Sequence, residues 1–410
     1  MPPDHQPPPP TPTPPPPAPP RPAAPRALFA AALREAVRVA ALAPSSHNCQ
    51  PWGVVWAEGG GARDAVAGVV GGGDDPAAVY LVLALDEGRS LRALAAHQVE
   101  MLVSCGAYGQ LLLRALAAQG WRAGAPRFAE GGLADAAWPW PGARPADWPR
   151  SWTPLCAIRL HQGPPPGPDG LRALRTTAEA RRTNRAPYRP GAVEPSLLDG
   201  LLEQGGTGLA HGADVRVRHL TSGADRAAVA DFVARHAGRD FSHRAAWRET
   251  HSYLRFSEAE VAARGDGFTL SQLFGPLSWP QERARRIAFA PLTMRLLRHV
   301  GYPGLLARQL AHLVRPTPAL TVMSFAGPRP SRADAVKGGA RLADYWLCAT
   351  EVGLALHPVS AVLQHEDPRT ALEDRLRIPG RAFFLSRLGH PATEFPRSPR
   401  RPADAPLRTI

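Results

Sequence analysis

Residues 44–52 read Pro-Ser-Ser-His-Asn-Cys-Gln-Pro-Trp and connect a predicted helix to a predicted strand. The serine and asparagine side chains after Pro44 can donate and accept hydrogen bonds within a turn. Pro51 lacks a backbone N–H and favours extended backbone before it, so the chain leaves the turn as a strand at Trp52. Such a turn can surround a polar heterocycle with donors and acceptors. A turn that merely ends a helix shares its short pattern, but the full form is more specific.

The sequence on either side of this segment predicts an α+β unit. Alanine, leucine and valine recur at helical spacing from Ala27 to Ala43, and this helix ends before Pro44. A long helix from about Ser90 to Gln119 is expected to end at Gly120, a favourable residue at a helix C-terminus. Short apolar stretches predict strands at Trp52 to Trp56, Val79 to Leu85 and Pro154 to Leu160.

The second part of the chain repeats this plan. A buried strand from Ala319 to Phe325 precedes a long helix from about Arg332 to Val352, which ends at Gly353. An apolar stretch, Leu354 to Leu363, follows. The order of strand, arginine-containing turn, long helix, glycine and strand occurs twice and predicts a duplicated unit. A late strand, Phe383 to Leu388, is expected in the second part alone.

These patterns divide the chain into four segments. We expect a disordered proline-rich tail over residues 1–26, a first half over 27–165, a second half over 166–402 and a short tail over 403–410. Within the second half, residues 265–275 read Gly-Asp-Gly-Phe-Thr-Leu-Ser-Gln-Leu-Phe-Gly and predict a loop. Such a loop could form a lid over a site or serve as an ordinary connection.

A second polar segment, Arg181-Arg182-Thr183-Asn184-Arg185, lies ahead of Pro187 and Tyr188. Guanidinium groups bind phosphate through paired hydrogen bonds, and a hydroxyl group adds another, so arginines around a threonine suit a phosphate group. A solvated basic helix end has the same composition. The residues alone leave both interpretations open.

Together the two segments resemble those of the FMN-binding nitroreductase family, especially its long, single-chain Acg-type branch. Ordinary members carry Arg-Arg-Ser-x-Arg near the start and Pro-Ser-x-x-Asn-x-Gln-Pro-Trp shortly after, and they are homodimers with FMN at the interface. Here the segments occur far apart and in the opposite order. The resemblance covers roughly residues 27 to 402. It implies the α+β nitroreductase fold, with two fused nitroreductase-like halves forming a pseudo-dimer within one chain.

The resemblance also implies one FMN pocket per chain, because one composite pocket keeps both segments and the symmetry-related pocket keeps neither. Ser45, Ser46 and Asn48 should border the isoalloxazine ring or the ribityl chain. The Arg181–Arg185 segment should hold the phosphate, with arginines near the C-terminus as further candidates. The implied cofactor-binding residues are Pro44, Ser45, Ser46, Asn48, Arg181, Thr183, Arg185, Pro358, Ser360, Ala361, Arg400 and Arg401.

The implied activity is a ping-pong reduction that uses NAD(P)H as the electron donor. A nitroaromatic compound, a quinone, an enone or a biosynthetic intermediate would be the acceptor. Flavin chemistry of this kind needs orientation and electrostatics from the protein. We therefore assign no catalytic side chain, and we expect Cys49 to face away from the flavin. The alternative is an Acg-like protein that stores FMN beneath the lid and has no reductase activity.

Composition argues against other classes of protein. The net charge of +13 invites a nucleic-acid hypothesis, but the basic residues are almost all arginine and are spread along the chain. The four cysteines are scattered, so neither a metal site nor a disulfide framework is expected. No apolar run reaches the roughly 18 residues that span a bilayer, and the N-terminus lacks the apolar region of a secretory signal. We expect a cytoplasmic monomer with a small-molecule partner and no nucleic-acid or membrane partner.

Overall fold

The computed structural model describes residues 25–410, except residues 72–74, 132, 134–137, 141–143, 165–166, 168 and 204–205. The tail predicted over residues 1–26 lies outside this part of the chain, apart from residues 25 and 26, which begin the first helix. Within the described residues, no helix is long and apolar enough to cross a bilayer.

The first half builds one sheet around a long central helix. Its elements are α1 (Pro25–Ala40), β1 (Trp52–Ala57), α2 (Gly60–Val70), β2 (Val79–Asp86), α3 (Ala95–Ala117), β3 (Trp121–Ala123), β4 (Arg127–Phe128) and β5 (Trp152–Gln162). Helix α1 places Phe29, Leu33 and Val37 in the core at helical spacing. Strand β1 is buried throughout, so its sequence lacks the alternation of a one-sided strand.

The second half contains a smaller sheet and an inserted group of short helices. Before the insertion come α4 (Asp169–Ala180), α5 (Pro195–Leu202), β6 (Val215–Leu220) and α6 (Gly223–Ser242). The insertion holds α7 (Arg244–Ser252), β7 (Leu254–Arg255), α8 (Glu258–Arg264), β8 (Phe268–Thr269), α9 (Leu270–Phe274), α10 (Trp279–Phe289) and α11 (Pro291–Leu297). After it come α12 (Tyr302–Val314), β9 (Ala319–Phe325), α13 (Arg332–Glu351), β10 (Ala355–Pro358), α14 (Glu366–Leu376), β11 (Arg381–Gly389) and β12 (Leu407–Thr409).

The two sheets share one strand order. The first runs β12–β1–β2–β5–β3, with β4 paired to β5, and the second runs β6–β9–β11–β10. Thus β1, β2, β5 and β3 correspond to β6, β9, β11 and β10, and these neighbours are antiparallel in both sheets. The duplicated α+β unit is therefore visible in the backbone.

The observed strands differ from the sequence predictions in two respects. The late strand is not confined to the second half, because β11 corresponds to β5. The sequence hid this match because β3 is three residues long and mostly exposed, so it carries no apolar run. The segment predicted as a tail over residues 403–410 includes β12, which pairs in parallel with β1 and completes the first sheet.

Helices α3 and α13 cross where each carries a glycine. A Cβ atom on Gly106 would lie 1.9 Å from the carbonyl oxygen of Val336, and one on Gly339 would lie 1.9 Å from that of Val103. Each contact pairs one glycine with the valine that stands three positions before the other. Such reciprocity characterises a twofold interface between identical subunits. Here both surfaces belong to one chain.

The crossing merges the two halves into one core. Ala335, Val336 and Ala340 of α13 belong to the same buried cluster as Leu33 of α1 and Leu83 of β2. Since one buried cluster contains residues of both helices, the halves are not independent globules joined by a linker.

Two segments differ from the helix and loop predictions. Helix α3 starts at Ala95 rather than near Ser90, because the Glu249 carboxylate accepts hydrogen bonds from the backbone N–H groups of Arg92 and Ala93 at 2.9 and 3.0 Å. This contact holds the preceding residues outside the helix. The predicted loop over 265–275 contains strand β8 and helix α9, the latter started by a capping box between Thr269 and Gln272.

The close crossing of α3 and α13 predicts that one methyl group added at a crossing glycine has a large effect on the free energy of unfolding. Gly106→Ala should destabilise the protein by roughly 1–3 kcal/mol, because the methyl group has no room between two helix backbones. Gly68→Ala in α2 is the matched control, since an added Cβ meets nothing within 4 Å there. Alanine favours a helix over glycine by up to about 1 kcal/mol, so this control should be neutral or stabilising. The midpoint of urea unfolding measures both, and equal midpoints would contradict the close crossing.

Candidate active site

A cavity of about 310 Å³ lies between the two halves beside α3 and α13. Both polar segments of the sequence reach it, although they are far apart along the chain. Among the twelve predicted cofactor-binding residues, those that line it are Pro44, Ser45, Ser46, Asn48, Arg181, Thr183, Arg185, Pro358, Ser360 and Arg400.

The other two predicted residues lie outside the cavity lining. Ala361 is buried in the apolar cluster beneath α6 and α14. Arg401 supports the 44–52 segment instead, since its backbone N–H donates to the Gln50 side chain at 3.1 Å and its guanidinium to the Gln50 carbonyl at 3.2 Å.

The turn at residues 44–52 has an unusual backbone that its neighbours hold in place. His47, Asn48 and Gln50 all have φ near +50°, a conformation that is costly for residues with a side chain. The Asn48 amide donates to the carbonyl oxygens of Gly267 and Pro399, both at 2.9 Å. The Ser46 hydroxyl donates to Glu100 on α3 at 2.6 Å. Contacts from distant parts of the chain thus stabilise the strained turn.

The 181–185 segment lies extended beside β10. Thr183 forms a parallel bridge with Leu356, and the Asn184 N–H donates to the Leu356 carbonyl at 3.0 Å. In extended backbone, alternate side chains point the same way. Arg181, Thr183 and Arg185 accordingly line the cavity, whereas Asn184 is buried on the opposite side and donates to a backbone carbonyl.

Five arginines line the cavity: Arg181, Arg182, Arg185, Arg397 and Arg400. Arg182 forms an ion pair with Glu394 and Arg397 is exposed, so the other three concentrate positive charge inside the cavity. Burial lowers the pKa of Arg181 to about 9 and those of Arg185 and Arg400 to about 10; Arg400 also contributes to the shift of Arg181. All three still carry a charge at neutral pH. None of them forms an ion pair with a described residue, and the Arg181 Nε atom is buried without a hydrogen-bond partner there. Arg181 is buried, and Arg185 and Arg400 are half-buried. Cations withdrawn from water without acidic partners are costly, so this arrangement suits an anionic ligand.

The guanidinium groups of Arg181, Arg185 and Arg400 lie at two separate places in the cavity. Arg181 and Arg400 both donate to the Leu42 carbonyl oxygen, at 2.9 and 3.2 Å, so their guanidinium groups lie together. Arg185 instead donates to the Gln272 carbonyl at 3.1 Å and lies 5.8 Å from the centre of the Phe268 ring. A phosphate would find paired guanidinium groups at the first place and a single one at the second.

Residues 265–275 cover the cavity next to the polar turn. Phe268 lines the cavity, and the Gln50 amide donates to the Gly265 carbonyl at 2.8 Å. A Cβ on Gly265 would lie 2.5 Å from the Arg400 carbonyl oxygen, which explains why glycine is required in this left-handed position. Asp266 is buried and forms ion pairs with Arg89 and Arg255. The predicted lid therefore touches the site and is anchored at several points.

Several lining residues were absent from the sequence prediction. They are spread over α3, α13, the lid and the chain after β11, and include Glu100, Ser104, Trp346, Phe268 and Arg397. Glu100 and Ser104 stand four positions apart on a mostly apolar helix, a weak signal that could have marked a polar site. Phe268 and Trp346 carry no such signal, because aromatic residues at these positions are equally typical of a core.

Cys49 lies in the hydrophobic core rather than in the cavity lining. Its thiol is 3.7 Å from the Met101 sulfur, and burial raises its pKa far above the ordinary value. A neutral buried thiol of this kind is unreactive. The Cys49 side chain is therefore outside the cavity lining; from the sequence it was expected to face away from the flavin.

The fold and the cavity define a protein of two fused α+β halves with one cationic cleft between them. No protein-family model matches the chain. Over 367 residues it is 31% identical to the probable NAD(P)H nitroreductase PigM of Serratia sp. (strain ATCC 39006), an alignment that covers 88% of this chain and 89% of that protein. The chain therefore belongs to the nitroreductase family.

Solved structures similar to this chain come from the same family. A nitroreductase-like family protein from Bacillus cereus covers 57% of this chain with 94% of its own length, at 14% identity and a TM-score of 0.34. The FMN-dependent nitroreductase NfnB from Mycobacterium smegmatis, solved in complex with NADPH, covers 55% of this chain with 94% of its own, at 15% identity and a TM-score of 0.32.

His47 makes a testable contribution to stability. Burial, then His97 and Arg185, lower its pKa to about 3, whereas the unfolded chain protonates this imidazole near its ordinary value of 6.5. The stabilisation is complete above pH 6.5 and is lost as the pH falls towards 3. His47→Gln should reduce the loss of unfolding free energy between pH 8 and pH 5 by about 2 kcal/mol.

The control for His47 is the exposed His211. His211→Gln should leave the pH dependence of urea unfolding as it is in the natural chain. Equal slopes for His47→Gln and the natural chain would mean that the His47 imidazole takes up its proton in the folded state.

Proposed function

We propose that this chain binds one FMN in the cavity and is an NAD(P)H-dependent oxidoreductase that reduces a small organic acceptor. The observation that carries the proposal is that Arg181, Arg185 and Arg400, one buried and two half-buried, adjoin the polar turn and have no acidic partners among the described residues. When bound, FMN supplies the redox chemistry, accepting two electrons from NAD(P)H and passing them on. The acceptor class is a nitroaromatic compound, a quinone, an enone or a biosynthetic intermediate.

Arg181 and Arg400 would hold the FMN phosphate. Their guanidinium groups share the Leu42 carbonyl, and the Arg181 Nε atom has no partner among the described residues, so donors remain for phosphate oxygens. Thr183 lies beside them and would add a hydroxyl contact. This modifies the expectation that residues 181–185 bind phosphate as one set, because Arg185 lies at the lid.

The polar turn and Arg185 would hold the ring end of the cofactor. Ser45 and Ser46 line the cavity, as do Pro358 and Ser360, and Asn48 accepts a hydrogen bond from Arg400, so Asn48 would lie between the two ends. Arg185 would place a fixed positive charge close to the ring, which favours the electron-rich reduced state. Phe268 and Trp346 supply apolar surface that excludes water.

No side chain in the cavity is proposed as a proton donor. The His47 imidazole lies 2.9 Å from the Ser46 hydroxyl and 3.0 Å from the Thr250 hydroxyl, so both ring nitrogens have partners. The Glu100 carboxylate accepts from Ser46 and, at 2.7 Å, from the Gln364 amide. These groups orient the turn, and the protein acts by positioning and electrostatics.

One FMN per chain follows from the way the halves differ. Leu342 lines the cavity six positions after Val336, and its equivalent, six positions after Val103, is Gly109. A Cβ on Gly109 would lie 2.5 Å from the side chain of Leu209, which is fully buried. The position that corresponds to the cavity, when the two halves are exchanged, is thus filled by the chain itself. Because both halves are present in one polypeptide, we propose that a monomer is the working unit.

The anchored lid favours a second candidate function, FMN storage without reductase activity. The Asn48 and Gln50 amides and the Arg185 guanidinium all donate to lid carbonyl oxygens. Ion pairs of Asp266 add to this attachment. A lid held this firmly would keep nicotinamide from stacking on the ring.

The deciding experiment is an absorbance spectrum of the purified protein before and after NADPH is added without oxygen. A flavin band near one equivalent per chain that bleaches, followed by recovery on adding a quinone or nitro compound, is the expected result. A band that persists with NADPH but bleaches with dithionite supports storage. Protein that holds no flavin and takes up no added FMN would refute both functions.

Asp266→Asn separates the two functions further. Loss of the ion pairs to Arg89 and Arg255 should loosen the lid, so stored flavin would become reducible by NADPH at a rate at least about tenfold higher. In a working reductase the same change should alter this rate little. Glu35→Gln, which removes an exposed ion pair with Arg38, is the control. Stopped-flow absorbance gives the rates.

Removing either phosphate-site arginine should weaken FMN binding. Arg181→Met and Arg400→Met should each raise the dissociation constant for FMN roughly 10- to 100-fold, since a charge-assisted hydrogen bond is lost. Arg127→Met is the matched control, because Arg127 is an exposed partner of Glu130 and neither residue lines the cavity. Quenching of FMN fluorescence during titration of flavin-free protein measures the constants, and unchanged values would place the phosphate elsewhere.

A further inference from the structure

The inserted helices carry a concentrated patch of exposed apolar side chains. Trp279 is 71% exposed, Leu292 76%, Leu296 71% and Val300 77%, far more than such residues in a packed surface. Ile287 and Leu305 belong to the same region, and Leu28 and Leu202 are the exposed large apolar residues elsewhere in the described chain. We call residues 279–308 the apolar patch. Exposed patches of this kind mark interaction sites.

The exposed residues are arranged in stripes along the helices. Leu292, Leu296 and Val300 follow one another at intervals of four across α11 and the 3-10 turn after it. Trp279 and Ile287 lie eight positions apart on α10. Residues with these spacings share one face of a helix.

The inner faces of the same helices are well packed. Phe289 of α10, Met294 of α11 and Leu306 of α12 are buried in one cluster with Phe268 and Leu270 of the lid. The Trp247 indole also donates to the Phe289 carbonyl at 3.0 Å. Each helix therefore has a fixed inner face, and its apolar outer face is left without a cover in the described chain.

Positive charge surrounds the apolar stripes. Residues 279–308 contain six arginines and a single carboxylate, Glu282. Five of the arginines are exposed, and none of these five forms an ion pair with a described residue: Arg283, Arg286, Arg295, Arg298 and Arg308. Elsewhere many surface arginines are paired with acids. A partner that buries apolar side chains and carries negative charge complements this surface.

We propose that the apolar patch docks on the surface of an anionic phospholipid bilayer. Amphipathic helices that lie at such a surface bury tryptophan and leucine among the lipid headgroups while arginine contacts lipid phosphates. Trp279 beside Arg283, whose guanidinium lies 5.5 Å from the centre of the indole ring, matches this interfacial pairing. The docking is peripheral, since no described helix can span a bilayer. It departs from the sequence expectation that the protein has no membrane partner.

The patch is joined to the lid through the buried cluster. Phe268 lines the cavity and belongs to the cluster that the inner faces of α10, α11 and α12 complete. A protein docked by this patch would therefore hold the lid side of its cavity close to the lipid surface. The docking proposal itself does not depend on the bound cofactor.

The test is flotation of the full-length chain with lipid vesicles. We expect binding to vesicles of phosphatidylcholine with about 30% phosphatidylglycerol, weak binding to phosphatidylcholine alone, and release at high salt. Leu292→Asn/Leu296→Asn should lower the vesicle partition coefficient at least about tenfold. Arg295→Gln/Arg298→Gln should lower it on the order of fivefold per arginine for anionic vesicles.

Leu202→Asn is the matched control, because Leu202 is 43% exposed and lies outside the patch. Brominated phospholipids should quench the fluorescence of the natural chain more than that of Trp279→Phe. Circular dichroism spectra ensure that the variants are folded.

Equal vesicle binding by the natural chain and Leu292→Asn/Leu296→Asn would overturn the proposal, as would no binding to anionic vesicles. If light scattering finds dimers that the leucine variant abolishes and no vesicle binding, the patch is a contact between copies. Binding to neutral and anionic vesicles alike would refute the role of the arginines.

Discussion

The contact between two helix backbones at Gly106 and Gly339 is the constraint on which the other features depend. Side chains would separate α3 and α13, whereas glycine lets each helix reach a carbonyl oxygen of the other. The two sheets are then brought to opposite sides of one core, and the cavity opens beside the crossing. Since each half supplies one polar segment, the site exists only when the halves are packed in this way.

The packing of the two halves places Arg181, Arg185 and Arg400 together in the cavity. Burial of unpaired guanidinium groups lowers their pKa and costs folding free energy, which an apolar core would not incur. Backbone carbonyls such as that of Leu42 offset part of the cost and fix the groups, but they do not neutralise the charge. An anionic ligand would offset the remaining cost in folding free energy, so ligand binding should also stabilise the fold.

The sequence predicts the repeated plan because that pattern is local, whereas the ten residues that line the cavity were implied by the resemblance to the family. Buried strands such as β9 have continuous apolar runs, and the 44–52 turn has a distinctive polar pattern. The late starting point of α3 depends on Glu249, more than a hundred positions away, and β3 is too short for a pattern. Arg401 and Ala361 lie outside the cavity lining although their neighbours Arg400 and Ser360 line it, because adjacent residues point in different directions; Ala361 follows Ser360 in a 3-10 turn.

Fusion of the halves has allowed them to diverge. In a symmetric dimer every change in one site occurs in the other, whereas here Leu209 fills the equivalent position without affecting the cavity. The insertion between α6 and α12 is likewise present in one half, where it supplies both the lid and the exposed helices. Because its inner face packs on Phe268 and its outer face is apolar and basic, the insertion links a covered cavity to an outside surface. Because Phe268 shares one small core with the inner faces of these helices, a displacement of the helices would also displace a residue that lines the cavity.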